Sequence, residues 1–549
     1  MTAVGVGRGV ARPPTPPTGG GAGPQPSASG GATPGAEVRR SARSGVVGLL
    51  GAAVNGACGF VLTAVVVRVL GAPGAGAMFS VIGLVSILGP LCCLGADTAL
   101  MWALPRRAAG PSGDAARLLP LAVVPTLGLA VLVAAAGWVV APAVDAALLG
   151  SGDATLVRLA FVGLPVFTVA TVLLAAVRAT RPVTTYVGVQ LVAVPLARPL
   201  LIGVAVAAGG SVTAAFAGWL LPLAAAAVAA GLLVAGPLGV TRARLRPTAA
   251  DRRWFWGFAL PRAVSTVIDA GGMWFGVLLT AALAGPAEAG VFGAVCRYAL
   301  AGLLVMQGLR VAIAPQLSRL LGAGRRAEAA AVHRRITAVV VLLSWPAYLL
   351  LAVFAPAFLA LFGAPFAAGA APMAVLAVAM LVNVGVGTVQ TVLLMSGNSR
   401  GHLAAAASGL ALYLLGCLVL VPRHGALGAA VAWSVGIVAE NVIAAVLVRR
   451  TLGEPLAGRA LAGTALAALA GTGAAAAVGV AVAGRGPAGL ALALGLLAVG
   501  ALVPLGNARV RAGLRAARAL VRPGRAGPQQ SAAPAFHPPD RPPTPEVVP

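Results

Sequence analysis

"TVLLAAVRATR", residues 171–181, and "TVLLMSGNSRG", residues 391–401, end two apolar segments in nearly the same way. The match is not isolated. "PGAGAMF" (73–79) pairs with "PAEAGVF" (286–292), and "GSVTAAFAGW" (210–219) pairs with "GALGAAVAW" (425–433). The three pairs keep their order and lie roughly 213–220 positions apart, so the chain carries an internal duplication of that length. The relative orientation of the copies depends on how many membrane crossings separate them.

That these segments cross a membrane follows from composition. Of 549 residues, 59% are hydrophobic and 9% are charged, against about 25% charged in a soluble domain. The net charge is +26, from 39 basic and 13 acidic residues, and every basic residue is arginine. A basic excess can mark a nucleic-acid binder, but here the arginines sit between apolar runs, so no nucleic-acid partner is expected. Without lysine the chain has neither a Walker A loop nor a Schiff-base amine, which excludes an ATPase of its own. Cys58, Cys92, Cys93, Cys296 and Cys417 lie in apolar segments without C-x-x-C spacing and read as small core residues. The histidines at 333, 402, 424 and 537 read as scattered in loops and a tail. No metal, no other cofactor and no catalytic set is expected.

Fourteen apolar segments of spanning length lie between residues 46 and 505. With a cytoplasmic N-terminus and one crossing per segment, 31 arginines fall inside and only Arg68, Arg158, Arg423 and Arg485 fall outside. Arg198, Arg262, Arg297 and Arg310 lie within spans. This asymmetry is the positive-inside pattern, and a miscounted helix would scramble it. The duplication then spans six helices, an even number, so the copies are parallel and form two lobes that share a cleft.

The expected fold is an all-α polytopic membrane protein with 14 transmembrane helices, two parallel six-helix repeats forming two lobes, and two C-terminal helices. Residues 1–38 read as a disordered Pro/Gly-rich cytoplasmic tail, 39–240 as the first lobe, 241–253 as a basic cytoplasmic linker and 254–450 as the second lobe. Residues 451–505 hold the last two spans, 506–522 a basic amphipathic helix suited to anionic lipid, and 523–549 a disordered Pro-rich tail.

Three stretches, "GAPGAGAMFSVIGLVSILGPLCCLGADTALMWALPR" (71–106), "VAIAPQLSRLLGAG" (311–324) and "LLMSGNSRGHLAAAASGLALYLLGCLVLVPRHGALGAA" (393–430), carry a family resemblance. Over roughly residues 40–505 the chain resembles the polysaccharide-transport, O-antigen flippase-like branch of the multidrug/oligosaccharidyl-lipid/polysaccharide exporter superfamily. His424-Gly425 stands where an aromatic-Gly pair is common in that family. The resemblance implies export of polyprenyl-diphosphate-linked sugars from the cytoplasmic to the outer leaflet of a plasma (inner) membrane. It implies no enzyme activity, and the short outer loops leave no room for the carboxylates of a sugar transferase.

The intramembrane charges name the candidate site. In "PRAVSTVIDAGGMW" (261–274), Arg262 and Asp269 lie seven positions apart on one helical face. A charge at mid-bilayer costs roughly 2.5–3.5 kcal/mol, so it faces a partner or a wet cavity. Arg262, Arg297 and Arg310 are expected to bind a diphosphate through planar guanidinium forks, with Asn55 and Gln307 among the partners for sugar. Asp269 reads as a counter-ion in the empty cleft or as a cation site. Glu440 and Asp97 are the other candidate ion-coupling residues, although Asp97 and Arg310 also suit snorkelling near the cytoplasmic surface. Arg198, between Pro195 and Pro199, reads as satisfying freed backbone carbonyls. The expected partners are a lipid-linked glycan, the bilayer and, through the tails, glycan-assembly proteins. Two alternatives stay open, a cation-coupled multidrug exporter of the same fold and a non-transporting scaffold.

Overall fold

The computed structural model describes residues 34–108, 114–238 and 247–505. Among them there is no strand, and the chain is all-α. The first half holds α1 (Pro34–Cys93), α2 (Ala96–Ala108), α3 (Leu118–Leu148), α4 (Thr155–Thr180), α5 (Val183–Tyr186), α6 (Val194–Ala207) and α7 (Val212–Leu238). The second half opens with α8 (Ala249–Ala284), α9 (Pro286–Ala301), α10 (Leu303–Gly322), α11 (Arg326–Val353) and α12 (Ala355–Leu359). It continues with α13 (Ala370–Gly385), α14 (Val389–Met395), α15 (Ser399–Leu452), α16 (Arg459–Ala483) and α17 (Pro487–Leu505).

Several of these helices differ from the segments expected, and glycine and proline explain where. Segments 1 and 2 form one 60-residue helix, α1, turned at Gly71 (φ 68°, ψ −176°). Segments 11 and 12 form the 54-residue α15, turned at Gly425 (φ 51°, ψ −131°). Only glycine adopts such angles at little cost, so the chain reverses with almost no loop. The second segment is itself broken after Pro90, where Leu94 and Gly95 take positive φ and separate α1 from α2. A π-helical stretch, Val187–Ala193, lies just ahead of Pro195, joining α5 to α6. Helix α1 begins at Pro34, inside the stretch read as tail, because a proline's fixed φ suits a first helical turn. The rest of that tail, residues 241–246 of the linker, the 506–522 helix and the C-terminal tail lie outside the described residues.

The turns repeat as the sequence does. Positive-φ glycines fall at Gly71 and Gly285, at Gly150 and Gly363, and at Gly209 and Gly425. The two members of each pair stand at nearly the offset of the sequence duplication.

Among the described residues, nine helices are long and apolar enough to cross a membrane. Two of them, Leu50–Cys93 and Ser399–Leu452, are the merged pairs. Helix α8, with its charges at 251–253, 262 and 269, contributes only a short apolar run, Gly272–Ala284. Val139, Leu232 and Val482 are 76%, 74% and 72% exposed. Apolar side chains so open to the surroundings call for acyl chains around them, and the chain is a multi-pass membrane protein.

In the first half, α4 packs on α2, α3 and α7, and α6 on α7. In the second, α13 packs on α9, α11 and α15. Helix α16 lies against α11 and α17. The halves meet where α8 packs against α2 and α3, and where α1 packs against α9. A methyl group at Gly76 would overlap the Pro286 carbonyl, and one at Gly290 would overlap the Ala72 carbonyl. Backbone thus approaches backbone, the usual role of small residues between membrane helices.

Candidate transport site

The seam between the halves holds one of the expected arginines. Arg297, in α9, donates from Nε to the Thr63 hydroxyl of α1 at 3.1 Å. Its guanidinium lies over Gly59, where a Cβ would stand 3.6 Å from Nη1. No carboxylate among the described residues pairs with it. Arg198 lies close enough for the two charges to act on each other. The Arg198 side chain lies over the Trp219 ring at 4.1 Å and donates to the Trp219 carbonyl at 3.2 Å. That carbonyl belongs to α7, not to the proline-broken helix that carries Arg198. In the π-helical stretch, the Gln190 Oε1 is buried without a hydrogen-bond partner among the described residues.

The seam is closed by packing at both ends. Near one end Phe60 of α1 meets Tyr298 and Phe362 at 5.0 and 5.7 Å. There the Arg68 Nε also donates to the Leu361 carbonyl at 2.7 Å. Near the other end Trp102 of α2 stacks on Phe258 of α8 at 4.4 Å, with the planes 6° apart. Beside this stack Arg107 pairs with Asp251 at 2.8 Å and lies over Trp254 at 4.8 Å. Asp251 also completes a capping box with Thr248 at the start of α8. Burial pushes the Asp251 carboxyl up, but the Thr248 backbone and side-chain hydrogen bonds and the charges of Arg107 and Arg117 outweigh it. The carboxyl is held below the usual carboxylate range.

The remaining expected site residues are placed as follows. Arg262 is exposed on α8 and Asn55 is exposed on α1. The side chains of Asp269, Gln307 and Arg310 lie outside the described residues. Asp97 is half-buried in the first turn of α2. Its Oδ1 is buried without a hydrogen-bond partner among the described residues, and Thr98 approaches Oδ2 only at 3.5 Å.

Glu440 stands apart, within the second half. Its Oε1 accepts from the Gln390 Nε2 at 2.8 Å, and the His402 Nδ1–H donates to the Gln390 Oε1 at 2.6 Å. The next residue, Asn441, donates to Asn383 at 3.0 Å. Glu440, Tyr413, Trp433 and Gly272 line a cavity of about 190 Å³. The histidines expected in loops are helical here. His402 begins α15, and His333, buried in α11, meets the Thr388 hydroxyl at 3.0 Å. The break between α13 and α14 sets Thr388 and Gln390 at this cluster. A single apolar-looking segment gives no sign of such a break beyond Gly385 and Gly387.

Solved structures share this all-helical membrane fold with paired halves. An inward-facing multidrug resistance MATE family transporter of the MOP superfamily matches with a TM-score of 0.56 at 15% identity, over 72% of this chain and 94% of the other. The lipid II flippase MurJ, in an inward closed conformation, matches with a TM-score of 0.58 at 10% identity, over 84% and 98%. A MOP superfamily transporter from Pyrococcus furiosus, described as having a binding pocket of reverse polarity, matches at 0.51 and 15%, over 75% and 96%. These likenesses establish the fold. No protein family and no curated protein matches the sequence.

Proposed function

We propose that this chain is a flippase that moves polyprenyl-diphosphate-linked oligosaccharide or polysaccharide precursors from the cytoplasmic to the outer leaflet of a bacterial-type plasma membrane. It has fourteen crossings with both termini cytoplasmic and works by alternating access between the halves. The observation that carries this reading is Arg297, a seam guanidinium held by a neutral hydroxyl and repelled by Arg198. Two like charges inside a membrane protein call for an anion, and a diphosphate accepts the paired donors of a guanidinium. Arg262 adds positive charge on the way in from the cytoplasm. Moving a doubly charged headgroup outward across an inside-negative membrane gains about 4.6 kcal/mol per 100 mV, so the potential itself favours export. No step of this cycle needs catalysis by the chain.

The fold likeness to multidrug transporters, together with the Glu440 cavity, supports a second reading as a cation-coupled exporter of organic cations. A carboxylate beside Tyr413 and Trp433 suits a cationic aromatic molecule. Complementation separates the two. In a strain lacking the protein, lipid-linked glycan accumulates on the inner leaflet under the first reading and sensitivity to cationic drugs rises under the second. Full export by both Arg262→Ala and Arg297→Ala would overturn the flippase reading.

A further inference from the structure

The first half carries a second, unassigned pocket, which in the proposed topology lies at its outer end. Helix α3 runs into a turn built on Asp145, which is 2% exposed. Its carboxylate accepts from the Ser151 hydroxyl at 2.7 Å and from the Gly152 N–H at 3.0 Å, and its carbonyl accepts from the Leu149 and Gly150 N–H groups. Gly150 and Gly152 supply the positive φ angles that bend the chain back on itself. The result is a cavity of about 590 Å³ lined by Pro142, Asp145, Gly150, Gly152, Asp153 and Arg158.

Three observations define what it takes. Arg158 sits in the first turn of α4 with its guanidinium over Trp138 at 5.3 Å. Its Nε is buried without a hydrogen-bond partner among the described residues, a state that costs free energy until an acceptor arrives. Asp153 is exposed, and the Thr155 side-chain and backbone hydrogen bonds, with the Arg158 charge, hold its carboxyl below the usual range. Trp138 is half exposed beside Val139 on the apolar α3.

We infer that this pocket binds the zwitterionic headgroup of an outer-leaflet aminophospholipid, with its phosphate on Arg158 and its ammonium on Asp153, while the buried Asp145 holds the turn and adds negative charge. A simple anion meets two carboxylates there, and a simple cation meets a guanidinium. A phosphate and an ammonium a few ångströms apart satisfy both. A primary ammonium donates hydrogen bonds to carboxylates, which the methylated ammonium of choline does not do, so phosphatidylethanolamine is preferred to phosphatidylcholine. The inference is independent of the cargo of the seam.

The test is lipid retention. The full-length protein is equilibrated in mixed micelles holding phosphatidylethanolamine, phosphatidylcholine and phosphatidylglycerol in equal amounts, and bound lipid is counted by native mass spectrometry. The expected result is an excess of phosphatidylethanolamine over each of the others of about tenfold. Arg158→Gln and Asp153→Asn are each expected to abolish that excess, and Arg158→Lys to keep most of it. Asp153 is exposed, so its variant folds irrespective of the outcome, and gel filtration checks the others. Equal retention of the three lipids, preference for phosphatidylglycerol, or an excess that survives Asp153→Asn would overturn the inference. So would displacement by free phosphoethanolamine at equal concentration, which would make the ligand a soluble headgroup.

Discussion

Arg107 at the end of α2 and Asp251 at the start of α8, 144 positions apart, form an ion pair of 2.8 Å that ties the two halves together. The pair is backed by the Trp102–Phe258 stack and by Arg107 over Trp254. In the proposed topology it lies on the cytoplasmic side, where it works as a latch. A hydrogen bond between charged groups contributes about 1.5–3 kcal/mol. Arg107→Ala is therefore expected to raise the population open to the cytoplasm by about 10- to 100-fold. Spin-label distances between the α2 and α8 ends measure this, and an unchanged distribution would show that the pair does not hold the seam.

The pH dependence of the latch follows from the direction of the Asp251 shift. The Thr248 hydrogen bonds lower the Asp251 carboxyl within α8 itself, and the Arg107 and Arg117 charges lower it from the other half. That second part favours the closed contact above the ordinary carboxylate pKa and is lost as pH falls through the lowered value. The same distance measurement is expected to stay flat from about pH 5 to 8 and to broaden only in stronger acid. A transition near neutrality that persists in Asp251→Asn would belong to another group.

Transport is expected to fall about 10- to 100-fold in Arg297→Ala, the equivalent of about 1.5–3 kcal/mol of charged hydrogen bonding. Arg297→Lys keeps the charge but loses the fork, so partial activity is expected. Thr63→Val removes only a neutral partner and is expected to have a smaller effect. Flipping of a lipid-linked sugar in proteoliposomes provides the readout.

Close backbone packing at the other end predicts a stability effect. In Gly76→Ala or Gly290→Ala the new methyl meets a carbonyl that cannot rotate away, and a loss of about 1–3 kcal/mol is expected. Gly203, with nothing near its Cβ position, is the control. There alanine is expected to be neutral or to add up to about 1 kcal/mol. Thermal unfolding in detergent distinguishes the two sites.

The hydrogen bonds of Gln390 to Glu440 and His402 predict a coupling energy of about 0.5–3 kcal/mol in a Gln390→Leu, Glu440→Gln double-mutant cycle. Additive effects on unfolding would mean that the three groups do not act together.

How far the structure could be read in advance depends on the range of the interaction. The membrane character, the helices and the duplication are properties of windows and offsets, and the reversing glycines Gly71 and Gly285 carry the same period as the repeated words. Arg198 could be read as satisfying a backbone carbonyl, but the carbonyl it finds belongs to the adjacent helix. The seam itself was legible only as a list of charges. Which hydroxyl Arg297 meets, 234 positions away, depends on how two helices rotate against each other, and no local pattern encodes that. Gln390 and His402 are 12 positions apart, and their contact escapes the sequence for a different reason. A hinge inside an apparently continuous span moves polar groups that periodicity would scatter.

The glycine contact between α1 and α9 sets the mechanical scale of the molecule. From Gly76 to Cys93, the end of α1, is 17 residues, an arm of about 25 Å at 1.5 Å per residue. Small residues at this contact leave few rotamers to unlock, so in the proposed alternating-access cycle it serves as a fulcrum. A rotation of about 10° there swings the end of that arm by about 4 Å. In that proposed cycle leverage, rather than any large rearrangement inside either half, governs how wide the mouth opens.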